Sequence, residues 1–418
     1  MMRHMIRRAS STVVTSRPIT PLTISHLLDF ESKVLSDTTM SHESLKYLCE
    51  QGAVRTYTHN EHHTHIHTHT QQVRVATALR TLNELPEPIL KQCSTLTKHY
   101  QSCLDIISSD YDNENYKVVG SAVDKAARGM YLSSLVPSVV THELTISSPH
   151  RHHTHDPLNN TGKRLGFDMM NIARAIRTHA SKDTEYFGSS LQKETDGVVH
   201  RFNNTRIGIR LLNDMYARAV DPKSNNAFSA VGRGILHKRV NVNEEIERAA
   251  SFVESIAVEN LYMCPDIVIR HNDSSCTEMI SYVPAHVWYI VVEILKNAVV
   301  AVVDNHASGG GASAARSRPV LPQVNVDILT SETSTAIDIT DSGGGIKNFE
   351  NAMAYCFTTG TRPAGNDLNG AGIGLPMAHA YAEYFGGSLG FQNTKDGCRV
   401  SVRLSHDPSC AEGVADVS

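Results

Sequence analysis

Residues 287–303 read VWYIVVEILKNAVVAVV, almost pure hydrocarbon except for Glu293, Lys296 and Asn297. An acid, a base and an amide at the centre of so short a span would be costly in a bilayer. The stretch therefore reads as the core helix of a folded domain, with one polar edge. Glu293 and Asn297 stand four apart and share a face, with Lys296 beside them. A Glu–Lys pair at helical spacing is also an ordinary feature of a solvated edge. Function has to be read from what surrounds this helix.

Downstream of about Val240 the texture is mixed. NEEIERAASFVESIAVEN and LPMAHAYAEYF carry helical periodicity, whereas QVNVDILT and STAIDIT alternate apolar and polar residues as half-buried strands do. PDIVIR, SLGFQN and CRVSVRL add three more short strands. Helices layered on a largely antiparallel sheet make an α+β sandwich over 240–406, with 407–418 left as a disordered tail. From Ser25 to Arg239 the apolar residues recur at steps of three and four, which predicts a helical bundle over 25–239. The fold class is thus a multidomain one, an α bundle followed by an α+β domain.

Three inserts interrupt this plan. THNEHHTHIHTHT places six histidines within 59–69, and HRHHTH occupies 150–155. Imidazole binds transition metals, but both runs are low-complexity sequence without a defined turn and read as surface loops. ASGGGASAARSRP (307–319) has the composition of a flexible linker.

A net charge of −4 excludes general nucleic-acid binding. Eight cysteines without a single CxxC pair exclude a zinc ribbon and argue for a reducing compartment. The opening MMRHMIRRASSTVVTSRP is rich in Arg, Ser and Thr, and no acid precedes Asp29. This is transit-peptide composition over 1–24, so the mitochondrial matrix is expected, although an ordinary basic tail has the same composition.

Three glycine-bearing elements follow the Glu293 helix. In DITDSGGGI a strand ends at Asp341, and Gly343 and Gly345 open a turn that lets backbone approach a ligand. A carboxylate there accepts from an exocyclic amine such as that of adenine. CFTTGTRPAGNDLNG is polar and aperiodic, a candidate lid that includes Thr358 and Thr359. In GAGIGLPMAHAYAEYFGG, Gly370, Ala371, Gly372, Ile373 and Gly374 precede a helix beginning near Leu375, where free N–H groups would suit a phosphate. There is no GxxxxGK[ST], and no strand and acidic residue are placed for a dinucleotide fold.

ExxxN on a helix, then DxGxG, a lid and GxGxGL before another helix is a specific order. It resembles the ATP-binding domain shared by gyrase, heat-shock chaperones, mismatch-repair ATPases and histidine kinases. The resemblance implies ATP and Mg2+ as cofactors, with Asn297 on the metal, Asp341 on adenine and the glycine turns around the phosphates. EILKNA, YCFTTG, GIGLPMAHAYAEYFGGSL and VRLSHD resemble, more narrowly, the mitochondrial protein kinases of 2-oxoacid dehydrogenases. The likeness is strong over about 240–406. Weaker echoes, SHLLDF, LRTLNELPEPI and RIGIRLL, lie upstream.

That resemblance implies a serine kinase that inactivates the decarboxylating component of such a complex. Glu293 would be the general base and Lys296 would neutralise charge near the transferred group. Thr358 and Thr359 would touch nucleotide, and 370–375 would line the phosphates. It also implies a homodimer formed through the ATP-domain sheet and docked on a lipoyl-bearing core, without nucleic acid or a membrane span. Several positions depart from the family pattern. Ser342 and Val300 stand where arginines are usual, Val300 at a nucleotide-side position, Cys398 replaces a threonine, and the lid is short. An Asp-Trp pair that marks the pyruvate branch is absent, since the only tryptophan is Trp288, so the branched-chain branch is expected. The alternatives are a histidine kinase using His142 in THELTISSP, an ATP-driven clamp, and a binding-only pseudokinase.

Overall fold

The computed structural model describes residues 21–25, 27–28, 70–109, 167–220, 236–271, 279–307, 320–358, 368 and 371–410. These fall into two compact units, one within Met1–Lys182, Glu194–Leu236 and Val414–Ser418, the other within Asp183–Lys193 and His237–Gly413. The transition comes at Leu236, slightly ahead of position 240, and the second unit also takes in Asp183–Lys193 from the region read as bundle.

The first unit is helical: α1 (Thr70–Asn83), α2 (Ser94–Ser109), α3 (Phe167–Ala180) and, from Glu194 on, α4 (Ser190–Val220), with a short turn at Glu87–Leu90. Its core mixes apolar side chains such as Leu82, Ile89, Leu96 and Phe202 with buried charge. Arg206 on α4 pairs with Asp168 on α3 through Nε at 3.2 Å, both side chains being 2 % exposed. The Tyr100 hydroxyl donates to the same carboxylate oxygen at 3.1 Å, and its ring meets Phe202 edge-on at 5.5 Å. At the surface, Arg201 reaches Glu84 at 2.6 Å. Low dielectric makes the buried trio far more consequential than that exposed pair.

The second unit places helices α6 (Pro284–Ala307) and α7 (Gly374–Glu383) against a five-stranded sheet, with α5 (Val242–Leu261) packed on α6. A separate antiparallel ribbon joins β1 (His237–Asn241) to β3 (Met279–Tyr282). The main sheet comprises β2 (Ile267–His271), β4 (Val324–Thr330), β5 (Ser334–Thr340), β6 (Ser388–Asn393) and β7 (Cys398–Ser405). Its order is β2-β4-β5-β7-β6. Every neighbouring pair is antiparallel except β2–β4, where Ile267 faces Val324 in parallel register. A parallel pair needs a crossover, and α6 supplies it.

Local chemistry sets these boundaries. The Asn241 side chain accepts from the N–H groups of Asn243 and Glu244 at the start of α5. Tyr262, at φ 59°, ends the helix in the left-handed region. Along β4 and β5, Val324, Val326, Ile328, Ile337 and Ile339 point inward, joined by Val402 and Leu404 of β7. Helix α6 answers with Val287, Ile290, Val291, Ile294, Leu295, Val299 and Val302, all buried. By length and composition Pro284–His306 could cross a membrane, but 67 % of its apolar window is buried inside this unit, as a core helix requires. The polar edge of α6 is left at the sheet end where β5 turns into the glycines. That end carries the site.

Candidate functional site

Glu293 sits midway along α6 with its side chain 15 % exposed. Lys296, one turn on, places Nζ 3.1 Å from Oε1 and 3.3 Å from Oε2. The carboxylate is therefore paired through both oxygens with a side chain that is itself only 11 % exposed. Its other side lies on the first residue of α7, since a Cβ on Gly374 would overlap Glu293 Oε2. Glycine is required there because the carboxylate uses the space. Asn297 follows on the same stripe, exposed to solvent, and Val300 is half-buried one turn further.

Asp341 ends β5 and is 7 % exposed. Its Oδ1 accepts the Gly343 N–H at 2.7 Å and the Cys398 N–H at 3.3 Å. Two backbone donors thus occupy one oxygen and leave the other as the group that can meet a ligand amine. Burial pushes the Asp341 pKa up, and the two N–H donors act in the opposite sense. Gly343 is seated directly on Ala301 of α6, where a Cβ would overlap the Ala301 side chain. Gly345 has φ +76° and abuts Asn393, whose side chain accepts from Ile346 N–H at 2.8 Å and donates to Ile346 O at 2.9 Å.

The lid begins from a constrained point. Cys356 has φ 70°, and its N–H donates to the Gly372 carbonyl at 2.8 Å. Gly372 itself has φ +71°, and a Cβ would stand 2.6 Å from the Phe357 carbonyl oxygen. The lid's first residues and the phosphate-side loop are therefore tied backbone to backbone. Phe357 also meets Phe187 edge-on at 5.2 Å. Thr358 is exposed beyond this point, with Ala371, Gly372, Ile373 and Leu375 half-buried beside α7. The helix starts at Gly374 without a side-chain cap, so its first N–H groups remain available for an anion. Thr359 and Gly370 lie outside the described residues, as do His142 and both histidine inserts.

The structure thus gathers Glu293, Lys296, Asn297, Asp341, Gly343, Gly345 and 371–375 at one end of one unit. Reasoning from sequence missed the Cys398 contribution, which is its backbone N–H rather than its side chain. It also missed Gly397, where a Cβ would overlap the Asp341 carbonyl oxygen. The glycine in TKDG is the only trace of this in the sequence, and many turns share it.

Magnesium fits this donor set. Among the described residues no group of three His, Cys, Asp or Glu could hold an ion alone. An exposed amide, Asn297, together with phosphate oxygens and water is the ligation magnesium accepts.

Comparison with known proteins agrees with this geometry. Residues 283–408 match the family described as histidine kinase-, DNA gyrase B-, and HSP90-like ATPase, so the second unit carries an ATPase domain of that type. A mitochondrial pyruvate dehydrogenase (acetyl-transferring) kinase of Schizosaccharomyces pombe is 31 % identical over 56 % of this chain and 54 % of its own. The Arabidopsis thaliana kinase of the same name is 28 % identical over 47 % and 53 %. The Mus musculus isozyme 3 is 23 % identical over 76 % and 69 %. The chain spans about half the length of the first two relatives it matches. Its homologues are mitochondrial pyruvate dehydrogenase kinases, and their names give no support to the branched-chain preference expected above.

Proposed function

We propose that this chain, a relative of mitochondrial pyruvate dehydrogenase kinases with an ATPase domain of the histidine kinase, gyrase and HSP90 type, is a mitochondrial protein serine kinase acting on a 2-oxoacid dehydrogenase complex. The observation that carries this is the Glu293 carboxylate, paired with Lys296 and lying against the first residue of α7. It is a carboxylate base beside the place where phosphates would sit.

The chemistry follows from that placement. Asp341 selects adenine through its unoccupied oxygen. Gly372 and Gly374 let backbone approach the phosphates, and the α7 amino end stabilises their charge. Bound through Asn297, magnesium would neutralise phosphate charge. Glu293 takes the proton from the substrate serine hydroxyl as that oxygen bonds to the γ-phosphorus. The bond between the γ-phosphorus and the bridging oxygen breaks, and ADP leaves. Lys296, paired with Glu293, would offset the negative charge spread over the transferred group.

The relatives are named for pyruvate dehydrogenase, which makes that complex one candidate substrate and the branched-chain complex, expected above, the other. Both readings share the class of substrate, with the lipoyl-bearing core as the dock. Dimerisation through the sheet is supported by its face away from the helices. There Asp327, Asp338, Ser401 and Gly390 form one row. Arg399 and Arg403 flank it on β7, and Asp327 pairs with Arg270 at 3.3 Å, so this face is polar and charged.

Labelled Mg-ATP should transfer acid-stable phosphate to serine on one of the two purified complexes. Glu293→Gln should lower that rate by about 10²–10⁴-fold while still binding ATP. Acid-labile label on the chain itself would instead establish a histidine kinase. ATP binding without transfer to either complex would leave a pseudokinase.

A further inference from the structure

We infer that His306, assisted by Asn305, is a positioning residue for the nucleotide, clamping the adenine-side turn to the helix that bears Glu293 and Asn297. This rests on the ATP reading above and assigns a role to two residues that the reading does not use.

The turn 341–345 is fixed on its sheet side. Asp341 Oδ1 takes two backbone N–H groups, and the Gly344 N–H donates to the Asp396 carbonyl at 2.9 Å. On the helix side a different set of contacts holds it. His306 Nε2 lies 2.8 Å from the Ser342 carbonyl oxygen, and Asn305 Nδ2 lies 3.4 Å from the same atom. A carbonyl can only accept, so His306 must carry its hydrogen on Nε2. Asn305 also faces Gly344, its Oδ1 being 3.4 Å from where a Cβ would stand.

The register along α6 gives this clamp its meaning. Asn297, Ala301 and Asn305 fall at successive four-residue steps on one stripe. Gly343 rests on Ala301, the middle step. The metal-side amide, the seat of the turn and the clamp are therefore three rungs of one helix. A turn that lifted from Ala301 would carry Asp341 away from Asn297 and misalign the two ends of one nucleotide. Because Ser342 contributes its carbonyl, the contact does not depend on the side chain at 342. His306 is half-buried in the last turn of α6, away from the apolar face that holds the unit together.

Calorimetric ATP affinity of the full chain, beside its melting temperature, tests this. His306→Leu should weaken ATP binding about 3- to 10-fold, the worth of one neutral hydrogen bond. His306→Gln, which keeps a donor near the Nε2 position, should restore most of it. Asn305→Ala should give a smaller loss in the same direction. A purely structural His306 would lower the melting temperature while the folded protein bound ATP as before, and that result overturns the clamp. If His306→Leu does not fold, Asn305→Ala and His306→Gln decide: wild-type affinity in Asn305→Ala overturns the proposal, and weakening in Asn305→Ala with near-normal His306→Gln supports it. Failure of the wild-type chain to bind ATP would overturn the nucleotide site, and the clamp with it.

Discussion

Asp341→Asn separates the chemistry of the adenine contact from the stability of the fold. The two backbone donors on Oδ1, at 2.7 and 3.3 Å, dictate how the amide must sit. Its oxygen takes the Oδ1 position, because the –NH2 group there would face two N–H groups. The –NH2 is then turned toward the ligand, where it meets the adenine amine donor to donor. The variant loses a hydrogen bond to a charged acceptor, worth about 1.5–3 kcal/mol, which is about 10- to 150-fold in ATP affinity. GTP presents a carbonyl at the equivalent ring position, so its affinity should hold or improve.

Stability should move differently. A carboxylate whose folded pKa is raised, as burial does to Asp341, contributes stability below its unfolded pKa and loses it as pH rises through the folded pKa. At neutral pH the buried anion is a cost, so a neutral amide should leave the melting temperature unchanged or higher. For the same reason, wild-type ATP affinity should start to fall on acidification at a higher pH than an ordinary aspartate would produce. Nucleotide titration by calorimetry and a thermal melt suffice. ATP affinity in Asp341→Asn within about 2-fold of wild type, in a folded protein, would refute the assignment of the free oxygen to adenine, since even a neutral hydrogen bond is worth more.

Two further perturbations follow from the packing. Gly374→Ala must displace the Glu293 carboxylate or the start of α7. Transfer rate should fall by on the order of 10²-fold for a shift of about 1 Å with little change in melting temperature, as measured by labelled phosphoryl transfer. Arg206→Leu would leave Asp168 buried without its cation and should cost about 3–5 kcal/mol in denaturant unfolding. Adding Asp168→Asn should recover part of that loss.

How far the sequence disclosed this arrangement depends on the range over which each feature is encoded. Periodicity revealed α6, α7, β4 and β5, because each carries its burial pattern in its own residues. The β1–β3 ribbon did not show, and 237–239 were read as the end of the bundle. HKRVN has no alternating apolar face, and its partner MISY lies beyond a whole helix and another strand. The parallel pairing of β2 with β4 was hidden for the same reason, since PDIVIR reads as a strand whichever neighbour it takes. Within the site, side chains with distinctive chemistry were legible and backbone donors were not. Glu293, Asn297 and Asp341 announce themselves by type and spacing. The Cys398 N–H, the gap at Gly397 and the Ser342 carbonyl exist only once distant strands and helices are placed.

The same distinction bears on Ser342 and Val300, where the kinases that the sequence resembles usually have arginines. Ser342 removes a charged side chain from the adenine-side turn, yet the turn is held by its carbonyl and by Asp341, Gly344 and Asn393. Its geometry is thus independent of the lost arginine. Charge is another matter. With Val300 also apolar, Lys296 is the cation that the described part of α6 brings to the site, and without a ligand it is committed to Glu293. Phosphates entering beside α7 would compete with that carboxylate for the same ammonium group. Whatever Lys296 gives to the nucleotide it withdraws from Glu293, loosening the base when a substrate hydroxyl arrives. Lys296→Met therefore removes both partners' support at once, and it should depress the transfer rate more than it depresses ATP affinity.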